Sequence, residues 1–241
     1  MPERKKAVVP AIVAAVAAIA VLAIVILPSF GSDETGSESG SSGGSDAAAE
    51  GRAPDETWEQ LVRREPDDPM AMGEVDAPVV MVNYSEFQCP FCGKFARDTE
   101  PTLIEEYVED GTLRIEWRDF PYLGPESTTA AHAGRAAAAQ GEFWEFHDAM
   151  YADQLPPNSG QLDEDYVAGI AEDLGLDVEQ FLADMTSKTA ASAVQDDFAE
   201  GQAIGVTGTP AFIINGVPMI GAQPTEVFQD AIEKAAEEAT Q

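Results

Sequence analysis

The chain has two cysteines, three positions apart in Cys89-Pro90-Phe91-Cys92, at the junction of a strand-like and a helix-like run. That placement constrains the fold more than any other feature. With no further cysteine, no long-range disulfide can staple the domain, and a hydrophobic core must hold it. Before the pair, Val79-Val80-Met81-Val82-Asn83-Tyr84 is almost continuously apolar, which suits a short strand buried on both faces. After it, a helical pattern extends to about Val108, with a kink expected at Pro101. Leu113 to Phe120 then forms a second expected strand, with Leu113, Ile115 and Trp117 on one face.

Pro125 to Ile204 is helical in pattern, in segments near Ala130–Ala139, Phe143–Met150, Tyr166–Leu174, Phe181–Met185 and Ala190–Ile204. Ala211–Ile214 and Val217–Ile220 make a hairpin across Asn215-Gly216. A last helix is expected from about Thr225, with Val227, Phe228 and Ile232 facing inward. The order is thus β-α-β, a helical block, then α-β-β-α. It predicts a parallel strand pair with a crossover helix, extended by an antiparallel hairpin. The fold class is α/β, a compact domain with a helical insertion.

Upstream, Arg4, Lys5 and Lys6 precede Ala7 to Leu27, an uncharged and almost wholly apolar run. At about 1.5 Å per residue it covers roughly the 30 Å of a bilayer's hydrocarbon core. The basic cluster predicts a cytoplasmic start, with everything after Pro28 outside. A cleaved signal peptide is the rival, but its apolar region is usually about 7–15 residues, and no convincing cleavage site follows Leu27. A single-pass cell-membrane protein with its catalytic domain on the extracytoplasmic side is therefore expected. Gly31 to Pro54 is rich in Gly, Ser, Asp, Glu and Ala, has no large apolar side chain, and reads as a flexible acidic tether. Trp58 to Gly73 regains large apolar residues and is expected to lie against the domain as an arm. The division is residues 1–28 (basic stub and transmembrane helix), 29–56 (linker), 57–124 (arm and first part of the domain), 125–187 (helical insertion) and 188–241 (second part).

With 44 acidic against 13 basic residues, the net charge is −31, and nucleic acid is excluded as a partner because phosphate binding needs a basic surface. No Ser/His/Asp set, phosphate loop or metal carboxylate cluster competes with the cysteines. Haem attachment would require His where Gly93 stands, and structural zinc would require two more ligands, for which His132 and His147 lack the spacing. A structural disulfide across so short a loop is the remaining alternative. Thiol–disulfide exchange needs an ionisable sulfur and a second one near enough to resolve the mixed disulfide. Cys89 at a helix N-terminus, Pro90 at the first helical position and Cys92 one turn along meet that need.

Tyr84-Ser85-Glu86-Phe87-Gln88-Cys89-Pro90-Phe91-Cys92 resembles the active-site segment of DsbA-like thioredoxin-fold thiol–disulfide oxidoreductases, and Gly205-Val206-Thr207-Gly208-Thr209-Pro210-Ala211-Phe212 resembles their cis-proline loop. The likeness covers about Pro69 to Ala239, and the helical block is similar to that family's insertion. It implies a thioredoxin fold with an inserted helical domain, preceded here by the transmembrane helix. It also implies that Cys89 attacks, that Cys92 resolves, and that a cis Thr209–Pro210 bond packs against them. Thr209 and Pro210, with Pro90 and Phe91, would meet an extended substrate chain. Exported polypeptides bearing cysteines are the expected substrates, a quinone-linked membrane thiol oxidase the expected redox partner, and no cofactor is expected. Disulfide reduction or isomerisation, or a redox-inert chaperone or binding module, are the alternatives.

Two positions depart from the family: Phe91 stands where DsbA carries His, and Asn83 where many relatives carry a buried acid. Glu86 is a candidate proton relay for Cys92, although an exposed, solvated carboxylate is the plainer reading. Lys94 is expected on the surface, Phe87 either in the core or with Phe91 on an apolar platform, and His132 and His147 in packing roles.

Overall fold

The computed structural model describes residues 58–240. The apolar run at Ala7–Leu27 and the tether lie outside the described residues. Among the described residues no helix is long and apolar enough to cross a membrane.

Five strands form one sheet in the order β1-β3-β2-β4-β5. They are β1 (Ala71–Met72), β2 (Val79–Ser85), β3 (Leu113–Asp119), β4 (Ala211–Ile214) and β5 (Val217–Ile220). β2 and β3 are parallel, with Val79 opposite Leu113 and Ser85 opposite Asp119. β4 runs antiparallel to β2, and β5 antiparallel to β4, as the hairpin signal at Asn215-Gly216 requires. The crossover from β2 to β3 holds α1 (Pro90–Asp98), α2 (Glu100–Leu103) and a π-helical turn at Ile104–Val108. The insertion follows as α3 (Pro125–Ala139), α4 (Phe143–Ala152), α5 (Glu164–Asp173) and α6 (Val178–Met185); α7 (Lys188–Ala203) leads back to the sheet and α8 (Thr225–Ala239) closes the described chain.

Successive residues of a strand point to opposite faces, so the two faces of β2 carry different sets. Val79 and Met81 pack with Phe95, Leu103, Phe228 and Ile232 under α1, α2 and α8. Val80, Val82 and Tyr84 pack with Phe120, Phe198 and the arm residues Leu61 and Val62. The insertion has its own core, built on Phe143, Phe146, Val167 and Phe181, and Phe87 joins it to the sheet by stacking on Trp117 at 5.2 Å.

The kink expected at Pro101 is present as a break at Thr99, in the turn where the proline removes the bond to the carbonyl four residues back and its ring clashes. One expectation needs correction: Val227 is 41% exposed, and the inward stripe of α8 is Phe228, Ile232 and Ala235. The charged face of β3 is buried as well: Arg114, Glu116 and Arg118 are each paired. The backbone N–H groups of Arg63 and Arg64 donate to the Glu116 carboxylate at 3.0 and 2.9 Å, which ties the arm across the strand.

Gly73, just after β1, has φ +90°, and a Cβ there would lie 2.3 Å from the Leu113 carbonyl oxygen, a backbone atom that cannot step aside. Gly73→Ala is therefore expected to cost about 2 kcal/mol or more in urea unfolding, combining positive-φ strain with a backbone clash. An unchanged midpoint would show that the β1–β3 contact is not part of the cooperative unit.

Candidate functional site

β2 ends at Ser85, and a tight turn in which the Cys89 N–H donates to the Glu86 carbonyl carries the chain into α1. Cys89 occupies the N-cap with extended backbone (φ −72°, ψ 118°), and Pro90 takes the first helical position, where no N–H is needed. Cys92 then lies one turn along, on the buried face of α1. Both cysteines are free thiols and both are buried, while Pro90 and Phe91 between them are exposed, Phe91 to 63%.

The Thr209–Pro210 peptide is cis. Its loop brings the Thr209 carbonyl to 3.3 Å from Cys89 Sγ. The two motifs, far apart in sequence, meet because β4 pairs directly with β2. Tyr122, 41% exposed, faces the same loop: a Cβ on Gly208 would lie 3.7 Å from its hydroxyl. Beside it opens a cleft of about 880 Å³, lined by Thr128, His132, Met185 and Phe198 among others.

The two sulfurs differ in acidity. A hydrogen bond from Cys92, which outweighs the opposing effect of burial, combines with donors at Thr209 and the Cys92 and Phe91 N–H groups to lower Cys89 from 9.0 to about 6. Relative to an ordinary thiol this favours the thiolate by about 4 kcal/mol, so at pH 7 roughly nine-tenths of Cys89 is ionised. Cys92 moves the other way: burial first, then the hydrogen bond and charge of Cys89, push it well above 9. One sulfur is poised to attack; its mate holds a proton.

Glu86 is 2% exposed, which corrects the solvated reading. Neither carboxylate oxygen has a hydrogen-bond partner. Ser127 and the Gln88 N–H lie near enough to favour the ionised form slightly, but burial dominates, and with the nearby Cys89 charge it raises Glu86 to about 7. The folded state thus keeps a proton that the unfolded chain releases near pH 4.5. Any stability due to that proton is complete below pH 4.5 and is lost as pH rises through about 7, a decline of about 3 kcal/mol. Glu86→Gln is expected to remove that decline. The variant should exceed the parent in urea stability at pH 8 and lose its advantage at pH 4.5; parallel pH profiles would refute a buried, protonated Glu86.

Other expectations resolve individually. Phe87 is core, leaving Phe91 as the exposed ring. Lys94 is a surface residue paired with Asp98 at 3.2 Å. His147 is buried among Phe87, Trp117, Phe143, Trp144 and Tyr151, and His132 lines the cleft. Asn83 is buried with its Oδ1 unpartnered.

Several residues around the site gave no sequence signal, because their roles exist only once the insertion docks. Gln154, just past α4, donates to the Phe87 and Cys89 carbonyls at 2.8 and 2.9 Å and so holds the cysteine loop. Gly93 makes room for it: a Cβ there would lie 2.3 Å from Gln154 Oε1. Gln88 bridges Ser127 and the Asn158 N–H. The Tyr151 hydroxyl donates to the Glu86 carbonyl at 2.9 Å and lies 3.4 Å from Ser85 Oγ.

A Thioredoxin family model matches residues 65–234. The chain is 33% identical over 150 residues to a probable disulfide bond formation protein D of Bacillus cereus, covering 61% of this chain and 69% of that protein. It is also 33% identical over 177 residues to the Na(+)/H(+) antiporter NhaA 1 of Salinispora arenicola; the match takes 73% of this chain, which spans about a quarter (26%) of the antiporter's length. Among solved structures, a thioredoxin-like oxidoreductase from Silicibacter pomeroyi matches with TM-score 0.62 and 30% identity over 72% of this chain and 94% of its own. Oxidised BdbD of Bacillus subtilis shares the fold, with TM-score 0.66 and 22% identity over 71% of this chain and 94% of its own. The order of strands, the inserted helices, the cysteine pair facing a cis-proline loop and these likenesses agree, and the chain belongs to the thioredoxin family.

Proposed function

We propose that the chain is a membrane-anchored, extracytoplasmic oxidase that introduces disulfides into exported polypeptides through Cys89 and Cys92. In the oxidised form, a substrate thiolate attacks Cys89 Sγ. The Cys89–Cys92 bond breaks and Cys92 leaves with the electron pair. A second substrate thiolate then attacks the substrate sulfur of the mixed disulfide, which forms the product disulfide and releases Cys89 as a thiolate. Of the two substrate protons, one ends on Cys92 and the other in water. Thr209 and Pro210 offer backbone to the extended substrate, and Pro90 and Phe91 touch it from the helix side. Glu86 takes up or returns a proton beside Cys89. Electrons leave the reduced pair through a quinone-linked membrane thiol oxidase.

The observation that carries this reading is the acidic Cys89 thiol, about 6, opposite the Thr209 carbonyl. Stabilising the thiolate stabilises the reduced protein, which makes the couple about 90 mV more oxidising than an ordinary dithiol. Equilibration with glutathione tests the direction: a potential near thioredoxin's, about −270 mV, would sink the oxidase reading. Expression of the full chain as Cys92→Ser tests the exchange itself, since mixed disulfides with exported proteins should accumulate at Cys89. No adducts would leave a redox-inert module. For the anchor at Ala7–Leu27, the expected result is a chain that stays with membranes through alkaline extraction, with cysteines open to a membrane-impermeant maleimide from outside.

A further inference from the structure

A backbone segment that passes from a strand into a helix must find donors for the carbonyls that belong to neither ladder. Between Ser85 and Pro90, side chains at the end of α4 supply them. The Tyr151 hydroxyl donates to the Glu86 carbonyl at 2.9 Å. The Gln154 amide nitrogen donates twice, to the Phe87 carbonyl at 2.8 Å and to the Cys89 carbonyl at 2.9 Å. In the other direction, Arg97 of α1 donates to the Tyr151 carbonyl at 2.6 Å. One turn of the insertion is thus bonded to the backbone on which the reactive sulfur sits.

Two carbonyls held on one nitrogen leave the peptide planes on either side of Gln88 little freedom to rotate. Cys89 is the N-cap, so the direction of its Sγ follows from that backbone (φ −72°, ψ 118°), and it ends 3.3 Å from the Thr209 carbonyl. Rotation of the turn would carry the sulfur off the helix end, whose free N–H groups favour a thiolate. A second observation meets the first at Gly93. A Cβ there would lie 2.3 Å from Gln154 Oε1 and 2.7 Å from an Arg97 guanidinium nitrogen, so the space that glycine leaves is filled by two side chains of this joint.

We infer, resting on the exchange reading above, that Gln154 is a positioning residue of the exchange centre: its amide locks the Cys89 turn from the insertion, and the reactivity of Cys89 depends on that lock. Gln154 acts through the backbone. With the turn held, the Cys89 thiolate keeps the first-turn N–H groups of α1 as neighbours. With the turn loose, the sulfur spends time away from them and its acidity moves back toward that of an ordinary thiol. The sheet and α1 carry the cysteines, whereas the insertion fixes how one of them is aimed.

Two readouts on the full-length protein test the lock: the rate of Cys89 alkylation by iodoacetamide against pH, and the equilibrium with reduced and oxidised glutathione. Gln154→Met keeps the reach of the side chain and removes both donors. Its alkylation midpoint is expected about one pH unit above the parent's, and at pH 8 its equilibrium should move about tenfold toward the disulfide form, or about 30 mV. Gln154→Lys restores N–H donors and should titrate at or below the parent. Gln140→Ala breaks a comparable pair of bonds, to the Asp177 carbonyl and N–H within the insertion, and should change neither readout. Gly93→Ala reaches the joint from α1: its methyl displaces the Gln154 amide while alanine strengthens the helix, so a raised midpoint there is not a loss of fold. That variant decides the matter if Gln154→Met does not fold. The parent's midpoint and equilibrium in Gln154→Met, or in Gly93→Ala, would overturn the inference. So would an equal shift in Gln140→Ala, or a lysine variant no better than methionine. A parent that does not exchange with glutathione at all removes the exchange reading itself, an outcome distinct from a parent that exchanges and a Gln154→Met variant that matches it.

Discussion

Cys92→Ala is expected to raise the Cys89 pKa from about 6 toward the ordinary thiol value and to slow its alkylation at pH 6 by roughly twentyfold. The hydrogen bond from Cys92 is the largest influence lowering Cys89, while burial pushes the other way. Removing that donor leaves Thr209 and two backbone N–H groups to oppose burial. At pH 6 an ordinary thiol is about 0.1% ionised, against about half for Cys89 in the intact pair. The gain in intrinsic nucleophilicity that accompanies a higher pKa recovers part of the lost rate but not most of it. Cys92→Ser keeps an O–H donor at nearly the same place, so its alkylation profile should keep a midpoint near that of the parent. The comparison separates the two sources of acidity. If alanine and serine variants both titrate near 6, the helix end suffices and the partner sulfur is irrelevant; rate against pH with iodoacetamide decides it.

The second large effect lies away from the cysteines, in the buried charges of β3. Burial opposes ionisation of Glu116, but the Arg63 N–H, Arg118 and the Arg64 N–H outweigh it and hold the carboxyl down at about 2. Glu116→Ala would take from Arg114 its carboxylate partner at 3.0 Å, would leave Arg118, bonded to Glu116 at 2.8 Å, with Glu200 alone at 3.3 Å, and would orphan the two N–H groups that bind the arm. Leaving a buried charge without its partner costs about 3–5 kcal/mol, which is a large share of a domain's stability. Urea unfolding should show that loss, and limited trypsinolysis should cut first at Arg63 or Arg64 as the arm comes free. The pH dependence has a definite sign. Because the folded-state pKa is depressed, the contribution of Glu116 is complete above pH 4.5 and is lost as pH falls through about 2, so the parent should lose about 3 kcal/mol in that window that the variant never had. A variant as stable as the parent at pH 7 would mean that the arm and the arginines gain nothing from this carboxylate.

Much of the architecture was legible in the chain. The run from Val79 to Tyr84 is apolar on both strand faces, so a central strand was the natural reading, and Asn215-Gly216 between two short apolar runs specifies a hairpin. These are local signals: the periodicity of side chains and the conformational freedom of turn residues act over a few positions. Where local signals misled, a distant contact had intervened. Glu86, an isolated carboxylate in sequence, is covered by the insertion, and the charged face of β3 is covered by the arm. Val227 adjoins Phe228 yet ends exposed, because the sheet takes only one stripe of α8.

By itself, the order of residues determined the strand–turn–helix that presents Cys89 at a helix end with Cys92 one turn along, and the α/β order around it. Folding decided what those sulfurs are worth. Their acidity depends on each other and on Thr209 as hydrogen-bond partners and on burial, and the loop that carries them is held by Tyr151 and Gln154, some sixty residues further along the chain. Spacing along a chain encodes local geometry, whereas electrostatic energy depends on distance through space and on exclusion of water, and only the packed structure supplies those two quantities.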